Sequence, residues 1–429
     1  MEVTYPLSEK ESQSRGNKLS VNTETFPYLY NKFYFQNQRM FKFVVKNKQS
    51  LKRNTIITLL CLILGIQNAF PAPQLEISLL TCSGGNVAYE AWGHSALRVI
   101  DHHQQTDICY NFGIFDFNTP HFYEKFIQGK LKYQLGLEYT SDFLQSYQHE
   151  GRQVTEQKLN LPDSTAARIL ARLEYLYQPA QRYYEYHFIG KNCTTELRDV
   201  LFGNIPTDFI NKATDKTYRT QLSEFLTAEP WTKFGMNLIM GISVDRKPDL
   251  YNSLFLPAYL YEGIKAINVN GKKLVAAEKI LTLKQQTNSA SSFLLHPVVV
   301  FSLLLIIALL LRSSQTFSGI LFFLIGITGL FILTVSLFTE HQELKNNFNL
   351  LWCNPLYLLA CFFVFKKSAV KLKKYLCILL LLCMAVMVVI WIAGIQHFEY
   401  GFLPIVGMLV VSIPHLNPLQ RRGLKTNPT

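Results

Sequence analysis

The sequence predicts an α+β extracytoplasmic domain followed by an all-α transmembrane domain of five helices. Three observations carry this. Uncharged apolar runs crowd into the last third of the chain. Strand, turn and helix signals alternate between residues 71 and 292. Basic residues collect in alternate segments between the apolar runs. The composition agrees: 49% hydrophobic and 17% charged residues over 429 positions exclude a disordered chain, a coiled coil and a disulfide-dense miniprotein.

From the N-terminus, residues 1–53 form a polar, basic extension. A run at 54–70 (NTIITLLCLILGIQNAF) follows KFVVKNKQSLKRN, which holds five basic and no acidic residues. Charge followed by an apolar stretch is the order of a signal peptide or signal anchor. Met40 is a candidate true start, because a chain beginning there has an ordinary basic leader. No small residue precedes Cys61 in the pattern of a lipid-attachment site. The late apolar runs are 293–311, 317–338, 349–365, 375–394 and 401–416, none carrying an acid or base. About 20 helical residues cross a ~30 Å hydrocarbon core, so 293–416 is expected to span a membrane five times.

The charge then orients the chain. Residues 1–53 carry a net +6, the loop 366–374 +5, the tail 417–429 +3 and the 312–316 loop +1, whereas 71–292 is −1 and the loops 339–348 and 395–400 together −2. Lys and Arg beside membrane segments stay cytoplasmic. The N-terminus and tail are therefore expected inside, with 71–292 outside. The formal +12 is an orientation signal and excludes the nucleic-acid reading that a basic chain invites.

In the exported region, 74–82 reads as a strand ending at Ser83-Gly84-Gly85. HSALRVI and DICYNFG flank a polar turn at 102–105 and read as a β-hairpin, with His102 and His103 solvated in the turn. Residues 163–178 read as an amphipathic helix with Asp163 or Ser164 as N-cap. RYYEYHFIG has strand character and runs into KNCTTELRDVLFG, a helix start. The region holds three cysteines, Cys82, Cys109 and Cys193, so at least one thiol is free. No C-x-x-C or H-E-x-x-H motif supports a metal, and no Walker or dinucleotide pattern supports a cofactor.

Cys193 stands at the helix start, where free N–H groups and the helix dipole favour a thiolate. His94, between Gly93 and Ser95 at a strand start, is the candidate base. A hairpin in which His94 faces Gly113 sets Ala96 opposite Asn111, and residues two apart share a face. Asn111 is therefore the candidate to orient the imidazole, with Asp107 and Asp116 as alternatives. Backbone amides at 193–195 are the candidate oxyanion donors. In the loop 339–355, His341, Asn347 and Asn349 are candidate substrate contacts. The aromatics between Tyr110 and Tyr139 are either core or the wall of an acyl pocket.

The segments L-L-T-C-S-G-G (79–85), W-G-H-S-A-L-R (92–98), Y-N-F-G-I-F-D-F (110–117), G-K-L-K-Y (129–133) and K-N-C-T-T (191–195) resemble the Lnb family, the lipoprotein N-acyltransferases of Bacteroidota. N-N-F-N-L-L-W-C-N-P-L (346–356) resembles that family's membrane half. Gly85-Asn86-Val87 departs from it, where a more acidic stretch is expected. The order of His before Asn-Cys is also similar to permuted papain-like (NlpC/P60-like) folds. The resemblance spans 74–416. It implies a papain-like periplasmic domain at 71–292 on a bacterial inner-membrane protein. The implied partners are a phospholipid acyl donor and a diacylated lipoprotein acceptor, joined through a Cys193 thioester, with no cofactor. Two rival classes are a membrane-tethered cysteine hydrolase (amidase or lipase), disfavoured by the large membrane half, and a non-catalytic sensor or assembly module, disfavoured by the intact His94 and Cys193.

Overall fold

In the computed structural model, residues 75–85, 87–207, 214–285, 293–366 and 368–416 are described. The expected extension 1–53 with Met40, the apolar leader 54–70 and the tail 417–429 lie outside the described residues. Alternating apolar side chains build β1 (Leu75–Cys82), β2 (His94–Asp101) and β3 (Thr106–Ile114). The turn 102–105 falls where the polar DHHQQT run puts it, with His102 exposed against Glu76. There follow α1 (Phe122–Gln128), β4 (Lys132–Tyr139), α2 (Thr140–His149), β5 (Val154–Leu159), α3 (Asp163–Tyr177), β6 (Tyr183–Glu185), α4 (Cys193–Phe202), α5 (Tyr218–Glu224), α6 (Pro230–Ile239), α7 (Pro257–Lys265) and β7 (Val275–Thr282).

The seven strands form one antiparallel sheet in the order β6-β4-β3-β2-β1-β5-β7. Because side chains alternate across a strand, the sheet has two dry faces. Ile77, Leu79, Leu97, Val99, Tyr110, Phe112 and Leu135 pack with Ile169 and Leu173 of α3, Leu197 and Leu201 of α4, and Leu260 and Ile264 of α7. The opposite face buries Leu80, Cys82, Ala96 and Cys109 with Phe143 and Tyr147 of α2. Two local expectations are corrected. Pro162, not Asp163 or Ser164, is the N-cap of α3. The strand expected across RYYEYHFIG stops at Glu185, and a tight His187–Lys191 turn leads to α4.

Five apolar helices follow: α8 (Pro297–Leu310), α9 (Gln315–Phe338), α10 (Leu356–Val364), α11 (Val370–Ile392) and α12 (Phe402–Ser412). The segments Gln315–Phe338, Gln342–Val364 and Val370–Ile392 are long and apolar enough to cross a membrane, while the first and last helices are shorter. At ~1.5 Å per residue the 14 residues of α8 span only about 21 Å, less than the ~30 Å hydrocarbon core. The third expected run is broken at Pro355, which has no N–H, and the Asn354 side chain accepts the Leu356 amide there. Helix α11 begins at Val370, inside the lysine-rich loop, so Lys371 and Lys374 are helical.

The sheet domain and the loops between apolar helices are joined by buried polar contacts. Arg219, 2% exposed, binds both oxygens of Asp245, and its Nη1 donates to Asn237 Oδ1. Asn237 Nδ2 donates to Glu399 Oε2 at 2.8 Å, and the His397 amide donates to Asp245. From the other loop, Asn347 Nδ2 donates to Leu238 O, and Asn349 Nδ2 donates to Asn237 O and Leu238 O at 2.9 and 3.0 Å. The expected substrate contacts Asn347 and Asn349 are thus corrected. Both are buried, and their amide donors are spent on the last turn of α6, where unpaired carbonyls need donors. Asn349→Ala is expected to destabilise the protein by about 1–3 kcal/mol, the usual cost of stranding buried polar partners. Thermal unfolding in detergent micelles checks this.

Candidate active site

The two segments that bring the site together are fixed by different devices. Asn192 has extended backbone and caps α4. Its Oδ1 accepts the amides of Thr194 and Thr195 at 2.8 and 2.9 Å, while Thr195 Oγ1 accepts the Asn192 amide. Its Nδ2 donates to Phe188 O and Phe255 O. This capping box makes Cys193 the first helical residue. On the other side, Gly93 (φ +83) turns the chain into β2, and a Cβ there would lie 2.3 Å from Cys82 O. The preceding loop is held by Arg152, which donates to Ser83 O, pairs with Glu150 and Glu90, and covers the Tyr147 ring.

The β2–β3 pairing ends with Leu97 opposite Tyr110; beyond it the chains still run side by side, with the His94 ring beside Gly113. His94 Nε2 lies 2.5 Å from Asn111 Oδ1, and both residues are buried. Asn111 Nδ2 in turn donates to Glu138 Oε1 at 2.9 Å. Glu138 can only accept, so the Asn111 amide must turn its NH2 to Glu138 and its oxygen to His94. That oxygen can only accept, so Nε2 carries the proton and Nδ1 is left with the lone pair of a base. Neither Asp107, engaged by Arg98 and Thr140, nor Asp116, which accepts the Asn118 amide, partners His94.

His94 and Cys193 both border Gly113. This residue has φ +95 and sits at a bulge in β3, and a Cβ there would lie 3.4 Å from Cys193 Cβ and 3.9 Å from His94 Cε1. Any side chain would strain the backbone and crowd Cys193 and His94. Ser95 Oγ and Thr194 Oγ1, 3.2 Å apart, further tie β2 to α4.

Burial sets the resting charge state. It holds the His94 imidazole well below its usual 6.5, with the Asn111 contact opposing. It also raises the Cys193 thiol, against hydrogen bonds from the Ser95 amide and the Thr194 hydroxyl. The thiolate expected from the helix terminus is therefore corrected to a neutral thiol beside a neutral imidazole, because desolvation outweighs the dipole. The expected oxyanion donors are corrected too: Thr194 and Thr195 give their amides to the Asn192 cap, and the Cys193 amide remains of the three. Cys82 and Cys109 are buried in the core below, the Cys82 thiol pushed up to about 12. His341 stands apart, its Nε2 donating to Phe126 O and its ring 6.0 Å from that of His187. A polar cleft of about 600 Å³ opens between the His187–Lys191 turn and residues 340–343, lined also by Arg246, Lys247 and Asp249.

Glu138 escaped the sequence reading. Its signal was indirect: β4 pairs Glu138 with Cys109 and Gly136 with Asn111, which puts Glu138 and Asn111 on one face of neighbouring strands. Among the described residues no His/Cys/Asp/Glu group is arranged to hold a metal ion.

A sheet domain carrying a bonded histidine–asparagine pair with a cysteine across Gly113, fixed to a set of apolar helices, defines a membrane protein with a polar site on its sheet domain. Two family models match the chain: the Lnb N-terminal periplasmic domain over residues 65–223 and the Lnb transmembrane domain over residues 288–417. The chain belongs to the Lnb family, with a periplasmic domain preceding a transmembrane domain. No curated protein and no solved structure matches it.

The charge state has a testable pH signature. Below about 6.5 the unfolded chain protonates its histidines, while folded His94 stays neutral, so the unfolded state binds more protons. Stability from this group is present above pH 6.5 and is lost as pH falls through that value toward the lower folded pKa. Histidine-resolved NMR is expected to show His94 neutral at pH 6.5, with the proton on Nε2.

Proposed function

We propose that this protein is a lipoprotein N-acyltransferase of the bacterial inner membrane. It moves an acyl chain from a phospholipid to the α-amine of a diacylglyceryl-cysteine. The observation that carries the reading is the Glu138–Asn111–His94 relay, with Cys193 on the other side of Gly113, on a domain locked to lipid-facing helices. Cys-His-Asn sets recur in papain-like proteases, and the papain-like assignment of residues 71–292 belongs to this reading.

The chemistry proceeds in two displacements. The Cys193 sulfur attacks the phospholipid ester carbonyl as His94 Nδ1 takes the thiol proton. The S–C bond forms, the C–O bond breaks, and His94 returns the proton to the leaving lysophospholipid oxygen. The neutral lipoprotein amine then attacks the thioester. The N–C bond forms, the C–S bond breaks, and the amine proton passes through His94 to the Cys193 sulfur. The α-amine titrates near ~7.7–8, so a usable neutral fraction exists at neutral pH. The Cys193 amide is the available donor to the oxyanion in both steps. The polar cleft beside the 187–191 turn, whose walls include neither His94 nor Cys193, is a space that could take the polar end of a substrate whose acyl end reaches the site. His341 remains a candidate contact, and no cofactor or metal enters either step.

The neutral Cys193 thiol is activated when a carbonyl arrives, as proton transfer to His94 accompanies attack.

Cys193→Ala is expected to abolish N-acylation. His94→Ala is expected to be nearly as damaging, since groups acting as a unit are not additive. Cys82→Ala and Cys109→Ala should retain most activity if the core tolerates them. Mass spectrometry of lipoproteins from cells carrying each variant decides, and fully N-acylated lipoproteins with Cys193→Ala would sink the reading. Glu138→Ala frees the Asn111 amide to flip and present NH2 to His94, which moves the lone pair to the wrong nitrogen. A loss on the order of 10²–10⁴, the usual worth of a general base, is expected in turnover. Glu138→Gln, which keeps an acceptor oxygen, should retain most of it.

A further inference from the structure

Helix α1 (FYEKFIQ) has an unusual exposure: none of its residues is buried, although four of its seven are apolar or aromatic. Tyr123 is 76% exposed, and Phe126 and Ile127 are about half so, with Phe117 beside them also open. A seven-residue helix cannot hold itself together in water, so something outside it must do so.

Half of that support is visible. The unpaired carbonyls at its C-terminal end are taken by the chain leaving the longest apolar helix. Thr339 Oγ1 donates to Ile127 O, the Glu340 amide to Gln128 O, and His341 Nε2 to Phe126 O. Gly129, φ +74, closes the helix so tightly that a Cβ would lie 3.2 Å from the His341 amide. Helix α1 is thus fastened to the end of α9, whose last residues Leu337 and Phe338 are themselves about two-thirds exposed. At ~1.5 Å per residue the 24 residues of α9 cover about 36 Å, slightly more than the ~30 Å core. This end therefore lies at the boundary between hydrocarbon and headgroups. A second set of open apolar groups stands at the same side of the helices: Phe293, Leu294 and Leu295, with Trp231 donating its indole N–H to Leu295 O.

We infer that α1 lies in the outer headgroup–acyl boundary, with Phe117, Tyr123 and Phe126 immersed in lipid. Its occupant is the bilayer itself, because its apolar surface continues that of α9. Aromatic side chains favour this boundary, and Lys125 and Lys130 can reach the headgroups from it. The inside of the helix leads toward the site: Phe122 packs on Phe115 (5.7 Å between rings), Phe115 on Tyr133 (5.1 Å) and Tyr133 on Tyr186 (4.4 Å). Phe115 lies two residues beyond Gly113. The aromatics of 110–139 thus divide between a core set and a lipid-facing set.

The experiment uses the full chain in phospholipid nanodiscs. A nitroxide is attached at Tyr123→Cys, and in a second variant at Phe126→Cys. Gln104→Cys, in the exposed 102–105 turn, is the aqueous control. It stands at the far end of nine-residue β3, about 30 Å from Ile114 at ~3.3 Å per residue. Wild type labelled in parallel gives the background from native cysteines. Power saturation is expected to show positions 123 and 126 relaxed more by oxygen, which partitions into lipid, than by an aqueous nickel chelate, with the reverse at 104. Nickel accessibility at both 123 and 126 equal to that at 104 would overturn the inference. The readout does not involve acyl transfer, so it stands or falls separately from the proposed activity.

Discussion

The sheet domain is held to the apolar helices by a buried joint between two differently solvated halves. Arg219 gathers Asp245, Asn237 and the carbonyls of Met240 and Gly241 around one guanidinium. Asn237 passes the connection to Glu399, and Asn349 returns it to Asn237 from the other loop. A buried charge pair contributes little net stability compared with apolar packing, but removing one partner is costly. Such a joint therefore specifies one arrangement more than it strengthens it. Apolar packing alone would let the sheet domain slide over the greasy helix ends. Directional hydrogen bonds fix its height and rotation.

In the candidate site His94 is buried and Cys193 half-buried, and both rest neutral. A thiol raised by desolvation and an imidazole lowered by it wait as an uncharged pair. The relay behind His94 keeps its lone pair on Nδ1, and the absent side chain of Gly113 leaves the space beside His94 and Cys193 open. Each device is a constraint of geometry, not of affinity, and each would lose its value if the domain were free to tilt.

The sequence displayed the parts whose partners are close along the chain or set by periodicity. The polar run at 102–105 fixed the hairpin, and a period of two then placed Asn111 beside His94 without any long-range knowledge. Asn192-Cys193 was legible as a helix start because capping is local. What was illegible came from distant pairings. Asn347 and Asn349 looked like open loop donors, but their acceptors lie more than a hundred positions earlier, on α6. Glu138 is visible only once β4 is aligned on β3. The thiolate was overestimated because the dipole at a helix start is a sequence-local feature, whereas desolvation depends on the whole fold.

The same reasoning explains why the membrane half did not reduce to five equal spans. Hydropathy counts uncharged residues, but backbone hydrogen bonding decides where a helix can run. Pro355 ends one ladder and starts another, and the 3₁₀ turns before it (Gln342–Leu344 and Phe348–Leu351) carry the joint with the sheet domain. Irregular backbone at membrane depth is tolerated where protein covers it, and here Asn347, Asn349 and Trp352 are all buried. The break in the third apolar run is thus what lets polar side chains reach α6. A continuous helix through 342–364 would be a better membrane span and would leave the sheet domain without its anchor.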